Sequence, residues 1–279
     1  GGIGELLAYA GDRKFLTYLG MALSALSQLL SAVMICWFLA RPKTEESVRL
    51  ELSKLRTDWR IMRRTVHIGL PSGLQAVLYS ISNMIILTAI NRFGTDTAAA
   101  WVAMGKVDAF TWLVLSAMGL AVMTFVGQNF GARLYDRMKK SINICLAMSA
   151  GTTLLLSFIL IAVARPLLEL FSDDAQVIEI GLSIVHLIVP TYITYIFIEI
   201  LSGAMRGAGD SLIPTIMTLT GVCLLRVFWV TVVVSAHHEL NVLLLSYPIT
   251  WIVTSGMFVV YYLRGRWLKR CIALQNAEN

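Results

Sequence analysis

The sequence predicts an all-α protein, a polytopic membrane helix bundle with about seven transmembrane helices. Hydrophobic residues make up 57% of its 279 residues and charged residues only 14%, with a mean hydropathy of +0.72. A soluble domain carries about 25% charged residues. The apolar residues are collected in seven runs, each long enough for the roughly 20 residues that a membrane-spanning helix needs. Composition and run length together indicate a membrane protein.

These apolar runs alternate with polar segments. The runs are residues 15–40, 66–90, 98–127, 141–164, 177–203, 214–236 and 242–263. The polar segment 41–65 has apolar residues at helical spacing opposite basic ones, and these are Leu52, Leu55, Trp59 and Met62. The pattern is typical of a basic amphipathic helix that lies on the membrane surface. A solvated charged linker is the alternative.

The basic residues indicate the topology. The 23 lysines and arginines outnumber the 17 acidic residues, giving a net charge of +6, but they form short clusters between apolar runs. We therefore expect no nucleic-acid partner. Most of them lie in 41–65, in 128–140, at Arg206 and in the basic tail 264–279. By the positive-inside rule these segments are cytoplasmic, which predicts a multi-pass protein in the lipid bilayer of the plasma (inner) membrane, with a cytoplasmic C-terminus.

The sequence contains no motif of an intramembrane hydrolase. Neither His-Glu-x-x-His nor Gly-x-Ser-x-Gly occurs, so no enzyme activity and no catalytic residue is predicted. The cysteines lack the paired spacing of a zinc site or a disulfide frame, and they are Cys36, Cys145, Cys223 and Cys271. We interpret His237-His238 as part of a solvated loop, because no third or fourth metal ligand lies nearby. No cofactor is predicted.

The second span carries a polar stripe. Gln75, Tyr79 and Asn83 are four residues apart and share one helix face. Such a stripe either lines a pathway or bonds to neighbouring helices, and the sequence leaves both possibilities open.

The third span carries two opposite charges. Lys106 and Asp108 are two residues apart, so they lie on roughly opposite sides of the helix and are poorly placed to pair. Asp108 shares its face with Trp101, Thr111 and Trp112, an aromatic and polar lining that suits a large organic cation. Asp108 is therefore predicted to be functional. Lys106 either contributes to a pathway or extends its flexible side chain to the outer surface.

The fifth span is predicted to bend. Pro190 leaves the carbonyl of His186 without its helical hydrogen bond. Beyond the bend, side chains at spacings of three and four residues form one stripe, and they are Tyr192, Tyr195, Glu199, Ser202 and Arg206. A carboxylate inside a span is expected at a functional site. Glu199 is therefore the candidate for exchange of a proton or a cation.

Arg226 lies near the middle of the sixth span. Its expected partner is Glu199 or Asp108. With Lys106, the spans then hold two cations and two anions, which balance in formal charge. A neutral buried network is thus the alternative to an exchange site.

Three stretches of sequence follow one another at a specific order and spacing. They are Gly69-Leu70-Pro71 with Leu74-Gln75, the segment 124–132 followed by Asp136-Arg137, and the segment 203–210 leading to Pro214. Together they resemble the multidrug and toxic compound extrusion (MATE) transporters of the NorM and DinF type. That family has two six-helix lobes around a central substrate cavity and exchanges drugs for sodium ions or protons.

The resemblance implies a division of the chain. Residues 66–263 correspond to the second six-helix lobe and 264–279 to a cytoplasmic basic tail. Residues 1–65 correspond to the end of the first lobe, with its last helix at 15–40, and to the basic linker. Helices one to five of the first lobe would then be absent. Since the chain begins at Gly1 without an initiator methionine, we expect a truncated chain whose missing partner is the first lobe.

The function implied by the resemblance is the second half of a cation-coupled multidrug efflux antiporter that works by alternating access. Its substrates would be small organic, mainly cationic molecules, and its coupling ion H⁺ or Na⁺. The sodium-coupled NorM type has acids at places that correspond to Tyr79 and Tyr195, and Glu199 lies one turn beyond the second of them. Glu199 could substitute from the same face as a proton or sodium site. The alternatives are a lipid-linked sugar flippase of the same superfamily and a seven-helix membrane receptor.

Overall fold

The computed structural model describes residues 13–41 and 58–278. It divides the chain into two units, Gly1–Met62 and Arg63–Asn279. No β-strand occurs in the described ranges, and seven of their helices are long and apolar enough to cross a membrane. The all-α prediction is therefore confirmed. Most of the predicted amphipathic helix over 41–65 lies outside the described residues.

The first unit contains helix α1, Arg13–Leu39. Apolar side chains along this helix are exposed, among them Met21, Leu26 and Trp37. The guanidinium of Arg41, just beyond the helix end, lies 3.6 Å from the ring centroid of Trp37. An apolar helix with an aromatic side chain and a cation at its end is suited to a membrane and its interface.

The remaining spans lie in the second unit, except for the first four residues of the first of them, and each covers nearly all of a predicted apolar run. They are Trp59–Asn91 (α2), Thr95–Gly131 (α3), Tyr135–Ala162 (α4), Ala175–Gly207, Leu212–Ala236 and Leu240–Leu263. A short helix, Ala164–Glu169 (α5), follows α4. The fifth span begins after Asp174, whose side chain caps the helix by accepting a hydrogen bond from the backbone N–H of Gln176 at 2.8 Å.

The fifth span is interrupted near its middle. Helix α6, Ala175–Ile188, is followed by a 3₁₀ turn, Val189–Thr191, and by helix α7, Tyr192–Gly207. The turn contains Pro190, which has no backbone N–H to continue the helical ladder. This interruption lies where the bend is predicted.

The sixth span alternates between two helix types. Three α-helical pieces, Leu212–Thr218 (α8), Leu225–Phe228 (α9) and Val234–Ala236 (α10), are separated by two π-helical segments, Leu219–Leu224 and Trp229–Val233. π-Helical segments are rare and occur frequently at functional sites. The π-helical segments of the sixth span were not predicted from the sequence.

The seventh span and the tail complete the unit. Helix α11, Leu240–Leu244, leads into helix α12, Ser246–Leu263. After a glycine turn at Gly265, with φ of 64°, helix α13 runs from Arg266 to Glu278.

Glycines allow α3 and α7 to pack closely. A Cβ atom at Gly203 would lie 2.8 Å from the carbonyl oxygen of Gly119, and one at Gly127 would lie 3.2 Å from the carbonyl oxygen of Gly207. Backbones approach this closely only where side chains are absent. The apolar core surrounds this crossing, and its fully buried members include Val122.

The basic tail forms a helix that packs against the rest of the second unit. Arg270 Nε lies 2.8 Å from Oδ2 of the buried Asp210, and the ring of Trp267 stacks on Tyr262 with centroids 5.5 Å apart. Cys271 is fully buried in the same contact, and burial raises the pKa of its thiol to about 12. The tail is thus anchored at the turn that follows α7.

Candidate functional site

Helices of the second unit surround a cavity of about 540 Å³. Its polar and aromatic lining consists of Tyr79, Asn83, Trp101, Asp108, Trp112, Tyr192, Tyr195, Arg226, Tyr247 and Trp251. Six of the nine predicted site residues are in this lining, whereas Gln75, Lys106 and Glu199 are not.

Asp108 is the acidic group of the cavity. It is only 4% exposed, and its Oδ2 accepts hydrogen bonds from the indole N–H of Trp112 and from the hydroxyl of Tyr192, the latter at 2.6 Å. Trp112 follows Asp108 by four residues, so both lie on one face of α3. Tyr192 comes from α7, which crosses α3 at the glycine contact. The other carboxylate oxygen, Oδ1, is buried without a hydrogen-bond partner among the described residues. Oδ1 is thus a buried acceptor whose hydrogen-bonding capacity the described residues leave unused.

Aromatic rings continue from Asp108 across the cavity. The ring of Trp112 lies 4.9 Å from that of Tyr195 and 5.5 Å from that of Tyr192. Trp251 of α12 lies 5.6 Å from Tyr195 and 5.7 Å from Tyr192. An aromatic wall beside a carboxylate can bind an organic cation through ring faces and through charge.

Two members of this wall, Tyr247 and Trp251, were missed by the sequence reasoning. Their rings are 5.5 Å apart, and Tyr247 is equally close to Trp101 of α3. The signal was present, because Tyr247 and Trp251 are four residues apart in the seventh span and Thr254 and Phe258 continue the same face. These two continuing residues are fully buried.

Glu199 lies one helical turn beyond Tyr195, outside the cavity lining. The Tyr195 hydroxyl donates a hydrogen bond to Oε2 of Glu199 at 3.3 Å. The carboxylate packs against Gly119 and fills the space that a side chain at that position would need. Glu199 is therefore joined to the cavity through Tyr195 and covered by the backbone of α3.

Gln75 and Arg206 connect three helices at one end of the unit. The Arg206 Nη2 donates to Oε1 of Gln75 at 2.6 Å, and the hydroxyl of Thr215 donates to the same oxygen at 3.2 Å. Tyr79 and Asn83, on the same stripe of α2, line the cavity instead. The stripe therefore serves both of the purposes that the sequence left open.

Arg226 has a neutral environment, which corrects the expectation of an ion pair with Glu199 or Asp108. Its Nη2 donates to Oγ1 of Thr250 at 3.1 Å, and its guanidinium lies 4.1 Å from the ring centroid of Tyr247. Both partners are on α12. The reason is the position of Arg226 on the single α-helical turn between the two π-helical segments, where its side chain contacts α12.

Lys106 is exposed and directly follows Gly105, which lines the cavity. Together with the partners of Arg226, this position shows that the described charges do not form the neutral buried network that formal balance had suggested. In the ranges 13–41 and 58–278, no group of three or more His, Cys, Asp or Glu side chains could hold a metal ion.

Seven helices long and apolar enough to cross a membrane identify an integral membrane protein. The family model MatE matches residues 71–232. Because this match covers more than half of the chain, the chain belongs to the MatE family. The resemblance drawn from the three sequence stretches is therefore confirmed.

Individual relatives agree with this membership. The chain is 23% identical over 210 residues to the probable multidrug resistance protein YoeA of Bacillus subtilis, covering 75% of this chain and 45% of that protein. It is 21% identical over 229 residues to the probable multidrug resistance protein NorM of Thermotoga maritima, covering 81% of this chain and 49% of that protein. The chain thus spans less than half the length of these two relatives.

The fold also matches solved structures. One is a multidrug resistance MATE family transporter of the MOP superfamily in an outward-facing conformation, with a TM-score of 0.76 and 18% sequence identity. The superposition covers 90% of this chain and 55% of that one. At this identity the likeness concerns the fold.

Proposed function

We propose that residues 66–263 form the second six-helix lobe of an efflux antiporter that exports small organic, mainly cationic molecules by alternating access. The carrying observation is the buried Asp108, which has one hydrogen-bonded and one unpartnered oxygen and stands beside an aromatic wall. A cation beside the unpartnered oxygen would gain a charge-assisted contact that water no longer supplies. The family match and the multidrug resistance names of the relatives support this substrate class.

The length relative to homologues supports a first lobe as partner. The chain covers 45% and 49% of the two relatives, and six spans lie within 59–263. In this proposal α1 is the last helix of the first lobe, and 41–65 and 264–279 lie at the cytoplasmic face of the plasma membrane. The substrate cavity would be completed by the first lobe.

Coupling to H⁺ or Na⁺ is proposed at Glu199. This carboxylate is linked to the cavity by Tyr195 and lies within a span. A lipid-linked sugar flippase would need a strongly cationic cavity for phosphate, whereas the charged residues of this lining are one acid, Asp108, and one arginine, Arg226.

Asp108→Asn tests the cation site. We measure binding to the chain in lipid nanodiscs by quenching of tryptophan emission, because Trp112 and Trp251 line the cavity. The probes are the cationic rhodamine B ethyl ester and the uncharged Nile red. The substitution is expected to weaken binding of the cation by at least about tenfold, or ~1.4 kcal/mol, and to leave Nile red binding within about twofold.

Asp96→Asn is the matched control, since Asp96 lies in the first turn of the same helix and outside the cavity lining. It is expected to leave both affinities unchanged. Equal weakening of both dyes by Asp108→Asn would assign Asp108 a structural role and contradict the proposed cation site.

A further inference from the structure

A groove at the end of the seventh span is separate from the central cavity. It has a volume of about 450 Å³. Its apolar side is formed by Met217 of the sixth span and by Gly256, Met257 and Val260 of the seventh, and its polar end by Tyr261, Arg264 and Arg266. No residue lines both the groove and the central cavity. The groove is therefore not part of the proposed substrate site.

The apolar side of the groove has room beside a glycine. A Cβ atom at Gly256 would have no atom within 4 Å, whereas one at Gly221 of the sixth span would collide with Thr254 of α12. The two spans therefore pack tightly at Gly221 and leave open space at Gly256. Met257 and Val260, which line this space, are 37% and 48% exposed. Apolar side chains exposed on a membrane-spanning helix are suited to contact with acyl chains.

The polar end of the groove carries two arginines. Arg264 directly follows α12 and Arg266 begins α13, with the left-handed turn at Gly265 between them. Both are exposed, and within 13–41 and 58–278 neither forms an ion pair with a carboxylate. The ion pair between Arg270 and the buried Asp210 holds α13 in place, so it also fixes the start of that helix. Two guanidinium groups at one end of a groove can bind a phosphate through forked hydrogen bonds.

We propose that this groove binds an anionic phospholipid, with an acyl chain beside Gly256 and the phosphate at Arg264 and Arg266. Basic pockets between membrane helices at a cytoplasmic face bind acidic headgroups, and in the proposed topology this end of the chain is cytoplasmic. Tyr261 is an aromatic residue of the kind that is enriched at headgroup depth. An apolar protein helix in the groove would leave both arginines without an anion, whereas an anionic phospholipid supplies an acyl chain and a phosphate together.

The test compares two lipids that differ only in headgroup charge. Phosphatidylglycerol is anionic and phosphatidylcholine is zwitterionic, and both are used with the same acyl chains. Native mass spectrometry of the chain in detergent gives the dissociation constant of the first bound lipid. Because each cation near a phosphate contributes to the binding of an acidic lipid, the wild-type chain is expected to bind phosphatidylglycerol at least about tenfold more tightly. Equal affinity for the two lipids would overturn the proposal.

Charge-removing variants locate the headgroup. Arg264→Gln combined with Arg266→Gln is expected to reduce the preference for phosphatidylglycerol to within about twofold. Lys139→Gln combined with Lys140→Gln is the matched control, because it removes the same charge from exposed lysines near the start of α4. This control is expected to keep the full preference. A preference that survives the arginine substitutions, or that falls equally in the lysine control, would contradict a headgroup site at the groove.

Two further measurements separate a lipid from a free phosphate. Gly256→Leu fills the open space and is expected to weaken binding of phosphatidylglycerol at least about threefold, since the acyl chain loses its contact with the groove. Unchanged binding by this variant would show that no acyl chain occupies the groove. Glycerol 3-phosphate, which has the phosphate without acyl chains, is expected not to displace phosphatidylglycerol. Displacement at equal concentration would assign the arginines to a soluble phosphate and overturn the lipid site.

Discussion

Substitution of Gly203 by alanine probes the crossing of α3 and α7. The added Cβ would lie 2.8 Å from the carbonyl oxygen of Gly119 and 3.0 Å from Cγ1 of Val122, whereas ordinary contact begins at 3.4 Å. The two backbones must therefore separate by roughly half an ångström, since a carbonyl oxygen cannot rotate away, and such overpacking costs about 1–3 kcal/mol. The change from glycine to alanine also favours the helix by about 1 kcal/mol. A second glycine-to-alanine variant, at a helix position with free space, is therefore needed so that this gain cancels in the comparison.

Gly256→Ala is that control, because no atom lies within 4 Å of its added Cβ and the residue is inside α12. The difference in unfolding free energy between the Gly203 and Gly256 variants, measured by denaturation of the chain in detergent, is expected to be about 1–3 kcal/mol. Binding of rhodamine B ethyl ester should weaken in the Gly203 variant alone, because the Tyr192 to Asp108 hydrogen bond spans the same crossing. Equal stability of the two variants would refute the close-packing argument.

Further predictions concern the coupling site and the tail. In the transporter completed with its first lobe, Glu199→Gln is expected to abolish H⁺- or Na⁺-coupled dye efflux at unchanged expression. The control is Glu179→Gln, because Glu179 is an exposed glutamate of the same span, and it is expected to leave efflux intact. Wild-type efflux by the Glu199 variant would exclude that residue as the coupling site. Asp210→Asn removes the partner of Arg270 and is expected to speed maleimide labelling of Cys271 in a variant that retains only this cysteine, and an unchanged labelling rate would contradict the docking. Burial raises the pKa of the Cys271 thiol from 9.0 to about 12. The thiol therefore ionises at a lower pH when the tail is released than when it is docked. Docking of the tail helix should therefore weaken as pH rises above about 9. The difference in labelling rate between the otherwise unchanged chain and the Asp210→Asn variant is then expected to narrow, and this comparison cancels the ordinary rise in thiolate with pH.

The spans could be predicted from the sequence because each depends on local composition alone. A run of apolar residues of sufficient length identifies its own helix, and Pro190 identifies its own interruption. The pairing of Asp108 with Trp112 was also accessible, since residues four apart in a helix share a face. The sequence therefore located the spans and one wall of the site.

Contacts between spans could not be predicted in this way. The hydrogen bond between Tyr192 and Asp108 joins residues 84 positions apart, and it depends on the register that the glycine crossing imposes. Arg226 was expected to find an acid, because formal charges balanced. The direction of the Arg226 side chain depends on the two π-helical segments, which helical spacing in the sequence does not reveal. Thr250 and Tyr247 were therefore not anticipated as its partners.

The crossing of α3 and α7 links the proposed substrate site to the proposed coupling site. On α7, Tyr192 bonds to Asp108, and Glu199 lies seven residues further along, or about 10 Å. On α3, Gly119 covers that glutamate. A movement that separates the two helices must break the hydrogen bond to Asp108 and uncover Glu199 together, because both contacts span the same pair of helices. Exchange of a cation at Glu199 and release of a substrate at Asp108 would thus be coupled by the geometry of one crossing, without a direct contact between the two carboxylates.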